Sequence, residues 1–403
     1  MHVAVLGAGI MGCCAALALA ERGCRVTIFE RNAMPLAEAS RHNEGKLHLG
    51  FVYAADPTFR TAALMQRGAE AFLPVLSRWV PAAPLGKLMA RPFDYIVHRD
   101  TMIPPEGVAR HMARVAEAWG GDPAWAAHRK MSPGELAARY DPAQVLEAYE
   151  TGEVAVDTTG VAAALARAIG AEPRITLRVG VAVDAVAPRG GGHAVVGRDR
   201  AGPLSDGPFD AVANCLWANR VAVDIASGLP RPPPFLTRFK ACVTLLCPGG
   251  APPDLPSATV VLGPFGDIVA WPGGRIYLSW YPACLAGTTR EVAQRDWREV
   301  RAGLDAPAVA RATIAALARI CPAVGSLRAA AGDELEVEGG AIFALGQTGI
   351  DDPASRLHER HEVGLVASHG TYHSVDTGKY TLAPLLALEL AERILPAPIR
   401  RRA

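Results

Sequence analysis

The sequence predicts an α/β fold in which a discontinuous parallel-sheet domain carries an inserted α+β domain with an antiparallel sheet. The first observation is a strand, a glycine-rich turn and a helix within residues 2–22. The second is the polar, irregular segment 31–51, which stands where a continuous nucleotide-binding domain would add further elements. The third is the return of apolar strands at residues 209–215 and 363–368. Together they predict a Rossmann-like domain built from separated segments.

The composition limits the classes of protein to which this chain can belong. It has 403 residues, half of them hydrophobic, which is enough for a sizeable core and two or three domains. Lys and Arg number 41 against 40 Asp and Glu, and no basic run is longer than residues 400–402, a stretch expected to be a solvated terminus. This balance argues against a nucleic-acid partner. We expect a small-molecule partner and a monomer or small homo-oligomer.

Two apolar features are predicted to be buried structure. Residues 3–20 are almost wholly apolar but lack the basic start of a signal peptide, so we expect a soluble, cytoplasmic protein with no membrane partner. The eight cysteines form no CxxC and no His/Cys cluster with zinc spacing. We therefore expect buried, reduced thiols and no metal site.

Apolar periodicity and Gly/Pro punctuation predict the order of the elements. Helices are predicted over residues 10–22, 57–79, 105–119, 159–169, 291–304, 307–320 and 381–395. Strands are predicted over residues 2–6, 25–29, 175–179, 181–186, 194–200, 209–215, 237–247, 259–262, 268–271, 275–281, 334–338, 341–345 and 363–368. A turn is expected at 203–208 and a Pro-rich linker at 230–234.

The glycine turn matches GxGxxG between a strand and a helix, with its glycines at Gly7, Gly9 and Gly12. The first glycine permits a tight turn, the second lets the backbone approach a pyrophosphate, and the third lets the helix pack on the strand. The start of the helix, at Ile10 and Met11, supplies free N–H groups for the phosphates. The motif therefore predicts dinucleotide binding.

The acidic residue after the second strand refines this prediction. Glu30 lies 18 residues beyond Gly12, where a carboxylate can bind ribose hydroxyls and would repel the 2′-phosphate of NADP. Arg31 follows it and is also predicted to contact the cofactor. The GxGxMG ending resembles NAD-dependent hydroxyacyl-CoA dehydrogenases, whereas the interruption after Glu30 favours FAD. NAD is retained as the alternative.

Four segments resemble the FAD-dependent amine and D-amino-acid oxidase family, the group of glycine oxidase and monomeric sarcosine oxidase. They are VAVLGAGIMG with Glu30, ASRHNEGKLHLG, EVAVDTTGVAAAL, and the end of the chain from Gly364 through YHSVDTGK. The resemblance implies an FAD-binding domain at residues 1–85, 150–232 and 335–403. It implies a substrate domain at residues 86–149 and 233–334.

The resemblance also implies where the flavin and the substrate are bound. Residues implied to line the cofactor are Ser40, Asn43, Glu44, Gly45, Val183, Cys215, Trp217, Gly378, Lys379 and Tyr380. Lys46 and His48 share one side of an extended segment and would approach the flavin ring or the substrate. Lys379 precedes the last helix, and an ammonium with a helix N-terminus would stabilise negative charge on flavin N1 and O2.

Other polar residues leave alternatives open. His373 and Tyr372 belong to the predicted last loop, where an active-site role and a spacer role are equally expected. Arg238 and Lys240 share a strand face and are expected either to hold an anion or to face solvent. Tyr277 and Tyr281 also share a strand face and are expected either to line a pocket or to pack in the core. A polar cluster is expected to lie mostly on the surface: Arg356, His358, Arg360 and His361.

The predicted function is oxidation of a C–N bond in a small amine or amino acid by hydride transfer to flavin N5, with oxygen as the acceptor. Residues 340–346 contain no cysteine where sarcosine oxidases attach the flavin, so non-covalent FAD is expected. The main alternative is a 2-hydroxy acid or alcohol oxidase or dehydrogenase, which would require His48 or His373 as a base. An NAD-dependent dehydrogenase and a non-catalytic flavin-binding protein are the further alternatives.

Overall fold

A computed structural model describes residues 1–81, 85–327 and 335–396 of the chain; the basic run at 400–402 lies outside them. Its strands are β1 His2–Leu6, β2 Arg25–Glu30, β3 Phe93–His98, β4 His128–Lys130, β5 Val145–Thr151, β6 Ile175–Val179, β7 Ala182–Arg189, β8 Gly192–Asp199, β9 Gly202–Phe209, β10 Ala211–Asn214, β11 Phe235–Leu246, β12 Ser257–Val261, β13 Gly266–Ala270, β14 Arg275–Trp280, β15 Leu285–Thr289, β16 Leu335–Leu345, β17 Gly364–His369 and β18 Tyr372–Asp376. Its helices are α1 Ile10–Glu21, α2 Arg60–Leu76, α3 Pro105–Ala118, α4 Pro123–Ala126, α5 Pro133–Arg139, α6 Thr158–Ala171, α7 Arg220–Ala226, α8 Tyr281–Cys284, α9 Trp297–Ala302, α10 Ala306–Ile320 and α11 Ala383–Ile394.

The first sheet has six strands in the order β17-β18-β10-β1-β2-β6, all parallel except β17. Alternate side chains of β1 face opposite sides, as strand geometry requires. Val3 and Val5 pack in the core formed with α1, α6 and α11, and Ala4 and Leu6 pack towards the three-stranded sheet β7-β8-β9. Because both faces are covered there, residues 3–6 of β1 are apolar and buried, whereas the edge strands β6 and β17 are partly exposed.

The second sheet has nine strands, in the order β15-β11-β14-β13-β12-β3-β5-β4 with β16 paired to β11. All its pairs are antiparallel except β12 with β3. Helix α10 covers one face, where Ile314 and Leu317 pack with Val243 and Leu278. The predicted fold class, a parallel-type sheet joined to an antiparallel one, is confirmed.

Several element predictions were wrong, each because tertiary pairing overrode local propensity. Residues 203–208, predicted as a turn, belong to edge strand β9, where proline is tolerated because one side of the strand makes no ladder bonds. Residues 372–376, predicted as a loop, form the buried strand β18. The two strands predicted within 334–345 are the single strand β16, and the helix predicted over 291–304 is reduced to α9.

The elements of residues 120–153, namely α4, α5, β4 and β5, were not predicted. The first part of residues 335–403, assigned to the FAD domain, forms β16 of the second sheet, while the rest of the domain division stays a prediction. No helix in the described residues is long and apolar enough to cross a membrane. All eight cysteines are buried and free, as predicted.

Candidate functional site

The glycine turn forms a tight cradle at the end of β1. Gly7 has a φ of +89°, and a Cβ there would lie 3.0 Å from the carbonyl oxygen of Cys215. A Cβ on Gly12 would lie 1.9 Å from the carbonyl oxygen of Gly7, closer than such atoms can approach. Both positions therefore require glycine for α1 to begin this close to β1 and β10.

The side chains around the cradle leave a helix N-terminus available to an anion. Gly9 caps α1 without a side-chain bond, and the Ile10 N–H donates to Ser40 Oγ at 2.9 Å. Glu30 accepts from the Ala8 N–H at 2.8 Å through Oε2 and from the Asn32 N–H at 2.8 Å through Oε1. The carboxylate is thus fixed beside the turn, where ribose hydroxyls of a dinucleotide would lie.

The loop at residues 39–45 connects this cradle with a cavity. Asn43 stiffens it, because its Nδ2 donates to the Ala39 carbonyl oxygen and its Oδ1 accepts from the Gly45 N–H, both at 2.8 Å. Gly45 has a φ of +65°, and a Cβ there would lie 2.0 Å from the Val156 carbonyl oxygen. The loop is therefore held in one conformation, with Glu44 turned into the cavity.

The cavity contains about 1240 Å³ of space free of atoms, part of it open to solvent, and lies against the second sheet. The 39–48 segment and Lys379 line it from one side, and strands β11, β12, β13, β14 and β16 from the other. Its charged lining consists of five cations and two carboxylates: Lys46, Arg238, Lys240, Arg360, Lys379, Glu44 and Asp267. The charged part of the lining therefore has an excess of positive charge.

Lys46 lines the cavity, and its side chain contacts the second sheet. Its Nζ is 3.2 Å from Asp267 Oδ1 and 3.9 Å from Glu153 Oε1, donates to Thr259 Oγ1, and stands 4.2 Å over the ring of Phe93. The side chain is buried and so is Glu153. The ammonium is therefore held between two carboxylates on the second sheet side of the cavity.

A second charged group lies where the 39–48 segment meets the last loop. Glu44 Oε1 is 3.9 Å from Lys379 Nζ and 3.8 Å from His48 Nε2. Burial alone would raise the pKa of Glu44, but His48 and Lys379 hold it well below its ordinary value. Burial lowers the pKa of Lys379 to about 8. Glu44 is therefore anionic, and Lys379 loses its proton just above neutral pH.

The histidines of the cavity are weak bases. Burial, followed by the charge of Lys379, lowers the pKa of His48 to about 3. Burial and the charge of Arg275 lower the pKa of His42 to about 4. Burial also lowers the pKa of His358. All three imidazoles are neutral at physiological pH and have little capacity to take a proton from a substrate.

The structure brings most of the predicted site residues to the cradle or the cavity, but not all. His373 and Tyr372 lie on β18 away from the cavity; His373 Nδ1 is 3.1 Å from Ser368 Oγ, and Tyr372 Oη donates to Asp224 Oδ1 at 2.8 Å. Val183 packs in the core of β7-β8-β9. Arg31 pairs with the acidic side chains of its surroundings, Glu38 and Asp296.

The remaining predicted contacts lie near the cradle or the last helix. The Trp217 ring N–H donates to the Ala341 carbonyl oxygen at 2.7 Å, and Cys215 continues β10 beside Gly7. Gly378 has a φ of +64°, which turns the chain into Lys379. Tyr380 packs against Phe72 on the far side of the loop.

Other cavity residues were missed or misplaced by sequence reasoning. The prediction that His358 and Arg360 lie on the surface was wrong, since both are buried and line the cavity, whereas Arg356 is exposed as expected. Asp267 and Tyr53 carried no local signal. Arg238 and Lys240 were placed on one strand face correctly, and that face lines the cavity.

Comparisons with known proteins agree with this architecture. A family model described as FAD dependent oxidoreductase (DAO) matches residues 2–393. Glycine oxidase from Geobacillus kaustophilus has a similar structure, with a TM-score of 0.66, 19% identity, and coverage of 97% of this chain and 94% of that one. Iminodiacetate oxidase from Chelativorans sp. BNC1 gives a TM-score of 0.66, 18% identity, and coverage of 99% and 98%. At these identities the likeness shows the fold alone.

Two further comparisons differ widely in extent. FAD-bound L-alpha-glycerophosphate oxidase from Mycoplasma pneumoniae gives a TM-score of 0.66 at 13% identity, covering 98% of this chain and 94% of that one. A tRNA 5-methylaminomethyl-2-thiouridine biosynthesis bifunctional protein from Pseudomonas savastanoi is 49% identical over 45 residues. That match spans 11% of this chain and only 7% of the bifunctional protein.

Proposed function

The chain belongs to the family of FAD-dependent oxidoreductases described as DAO, and from that premise we propose that it oxidises a C–N bond of a small amine or amino acid. It is an enzyme of the amino-acid oxidase type, with FAD as its cofactor. The substrate, the use of oxygen as acceptor, non-covalent attachment of FAD, a cytoplasmic location and the oligomeric state are parts of the proposal.

The residues of the structure fit FAD. The cradle of Gly7, Gly9 and Gly12 would hold the diphosphate at the N-terminus of α1, and Glu30 would bind the adenosine ribose. The 39–45 loop leads from the cradle to the cavity, where a flavin ring and a substrate would lie. Cys242 lines the cavity, but burial raises the pKa of its thiol, which disfavours a covalent thiolate link.

The weak basicity of the cavity histidines is the observation that carries the C–N assignment. FAD would supply a hydride acceptor for the carbon next to the nitrogen, so the residues of the cavity would have to hold a neutral amine in place and no strong base would be needed. Oxidation of an alcohol requires a base for the hydroxyl proton. His48 is held neutral with a pKa of about 3, and His373 does not line the cavity. The names of glycine oxidase and iminodiacetate oxidase support the amine substrate, and that of glycerophosphate oxidase the alcohol alternative.

Anaerobic titration of the purified holoenzyme tests this proposal. Amines and D- and L-amino acids are added in turn, and bleaching of the flavin absorbance near 450 nm reports hydride transfer. We expect at least one amine to bleach the flavin and 2-hydroxy acids to leave it oxidised. A colourless protein, or a flavin reduced only by hydroxy acids, would overturn the proposal.

Replacing His48 by glutamine is expected to change kcat for the amine by no more than about threefold, because a neutral imidazole contributes no base catalysis. His373→Gln is the control outside the cavity, and it is likewise expected to change kcat by no more than about threefold. Steady-state turnover between pH 6 and 9 is the measurement. A loss of about 100-fold or more in His48→Gln alone would identify His48 as a base and favour the alcohol reading.

Replacing Lys379 by methionine is expected to lower the two-electron midpoint potential of the flavin by roughly 30–60 mV at pH 7. Losing a charge-assisted contact worth about 1.5–3 kcal/mol corresponds to that shift for a two-electron couple. The wild-type potential should fall more steeply above about pH 8, where Lys379 loses its proton, and Lys379→Arg should remove this break while keeping the potential high. Identical potentials in the wild type and Lys379→Met would show that the ammonium does not face the flavin.

A further inference from the structure

Among the described residues, two buried arginines of the cavity form no ion pair with a carboxylate. Arg238 on β11 is 4% exposed and Arg360, which follows α10 and β16 in the chain, is 7% exposed. Arg238 Nη1 donates to Tyr281 Oη at 2.6 Å, and Arg360 Nη1 donates to the Phe343 carbonyl oxygen at 2.8 Å. Within residues 1–81, 85–327 and 335–396, neither guanidinium has a carboxylate within 4.0 Å. Burying a cation in this way is unfavourable unless an anion joins it.

Arg220, by comparison, is a buried arginine whose charge is compensated by carboxylates. It is 3% exposed, but its guanidinium lies 3.1 Å from Asp224 and 3.7 Å from Asp376. By contrast, the Nε of Arg238 is buried and has no hydrogen-bond acceptor in the described structure. Both Arg238 and Arg360 line the cavity, so the missing acceptor would have to enter from the cavity.

The charges around Arg238 and Arg360 also favour an anionic occupant of the cavity. Burial, and next the charge of Arg238, lower the pKa of Arg360 to about 10, so the two guanidiniums repel one another. The cavity lining as a whole has five cations against the carboxylates of Glu44 and Asp267. Glu153 also faces Lys46, which leaves an excess of two positive charges. An occupant with a single carboxylate would offset one of them, whereas one with a second acidic group could offer an anion to each arginine.

We propose that Arg238 and Arg360 form a subsite for a second acidic group of the substrate. The substrate class is then an amino or imino acid that carries a further carboxylate or a phosphoryl group. This inference rests on the proposed function. Oxyanions of both kinds accept paired N–H bonds from guanidinium groups, and Tyr281 fixes the orientation of Arg238 for that purpose.

Calorimetric binding of acids that the enzyme cannot oxidise tests the subsite without relying on turnover. Glutarate, pentanoate and inorganic phosphate are titrated into the oxidised holoenzyme. We expect glutarate or phosphate to bind at least about tenfold more tightly than pentanoate, because only they offer the additional negative charge. Preference for glutarate identifies a second carboxylate, and preference for phosphate identifies a phosphoryl group.

Variants test whether Arg238 and Arg360 cause the preference for glutarate or phosphate over pentanoate. Arg238→Met and Arg360→Met should each reduce it to about threefold or less, whereas Arg360→Lys should retain part of it. Arg91→Met is the matched control, since Arg91 is an exposed arginine that donates to the Pro253 carbonyl oxygen outside the cavity. It should leave the preference unchanged.

Equal binding of the three acids to the wild type would overturn the subsite, and this result does not depend on whether a methionine variant folds. An undiminished preference in both folded methionine variants would overturn it as well. Failure of the proposed function can be distinguished from failure of the subsite. If the proposed function is wrong, no amine bleaches the flavin, even if glutarate binds tightly. Bleaching by amines with no glutarate preference would remove the subsite alone.

Discussion

Replacing Gly12 by valine is expected to give a protein that purifies without bound FAD. The new Cβ would lie 1.9 Å from the Gly7 carbonyl oxygen, and the valine methyl groups would extend the overlap to Val5. The start of α1 would have to move away from β1, which withdraws the N–H groups that hold the diphosphate. Overpacking of about 3 kcal/mol or more corresponds to at least about 100-fold weaker binding.

Flavin content per protein, from absorbance, and the dissociation constant of FAD for the reconstituted protein measure this effect. Gly170→Val is the matched control, because Gly170 is also helical but a Cβ there meets nothing within 4 Å. Valine and glycine differ little in helix propensity, so the control should keep its flavin. Normal flavin content in Gly12→Val would show that the cradle does not hold the cofactor.

The cradle is predictable from sequence because its chemistry is local. Gly7, Gly12 and Glu30 belong to one strand–turn–helix–strand unit, and their spacing alone fixes which backbone groups approach a diphosphate. The order of the first sheet is less local, since β10 and β18 come from distant segments. The apolar runs at residues 209–215 and 363–368 indicated that distant strands return to this sheet, but the buried strand β18 was not predicted.

The cavity is only partly predictable because its residues meet through tertiary contacts. Arg360 follows a polar stretch that is typical of a surface loop, yet Thr61 accepts its backbone N–H at 2.9 Å and Phe343 accepts from its guanidinium. These contacts pull the side chain into the interior. Asp267 is likewise an unremarkable acidic residue in a strand until β13 places it 3.2 Å from Lys46. No pattern along the chain encodes such pairings across more than 200 residues.

Lys46 gives the largest expected effect on stability. Its ammonium is the cation that faces both Glu153 and Asp267, and burial raises the pKa of Glu153. Lys46→Met keeps the length of the side chain but leaves the two carboxylates without that cation. Removing one partner of a buried ion pair destabilises a protein by about 3–5 kcal/mol, and we expect a loss of that size in the free energy of unfolding.

Equilibrium unfolding in guanidinium chloride at a fixed excess of FAD is the measurement, with Lys130→Met as the control. Lys130 pairs with Glu147 at the surface, so its loss should cost about 1 kcal/mol or less.

The effect of Lys46→Met should also depend on pH. Without the ammonium, the pKa of Glu153 rises further in the folded state, so folded Lys46→Met binds a proton that the unfolded chain releases at neutral pH. Its stability is therefore retained in acid and lost as the pH rises through that folded pKa. The variant should be closer to the wild type at pH 5 than at pH 8, and a deficit that is small or independent of pH would mean that Lys46 does not hold the two carboxylates together.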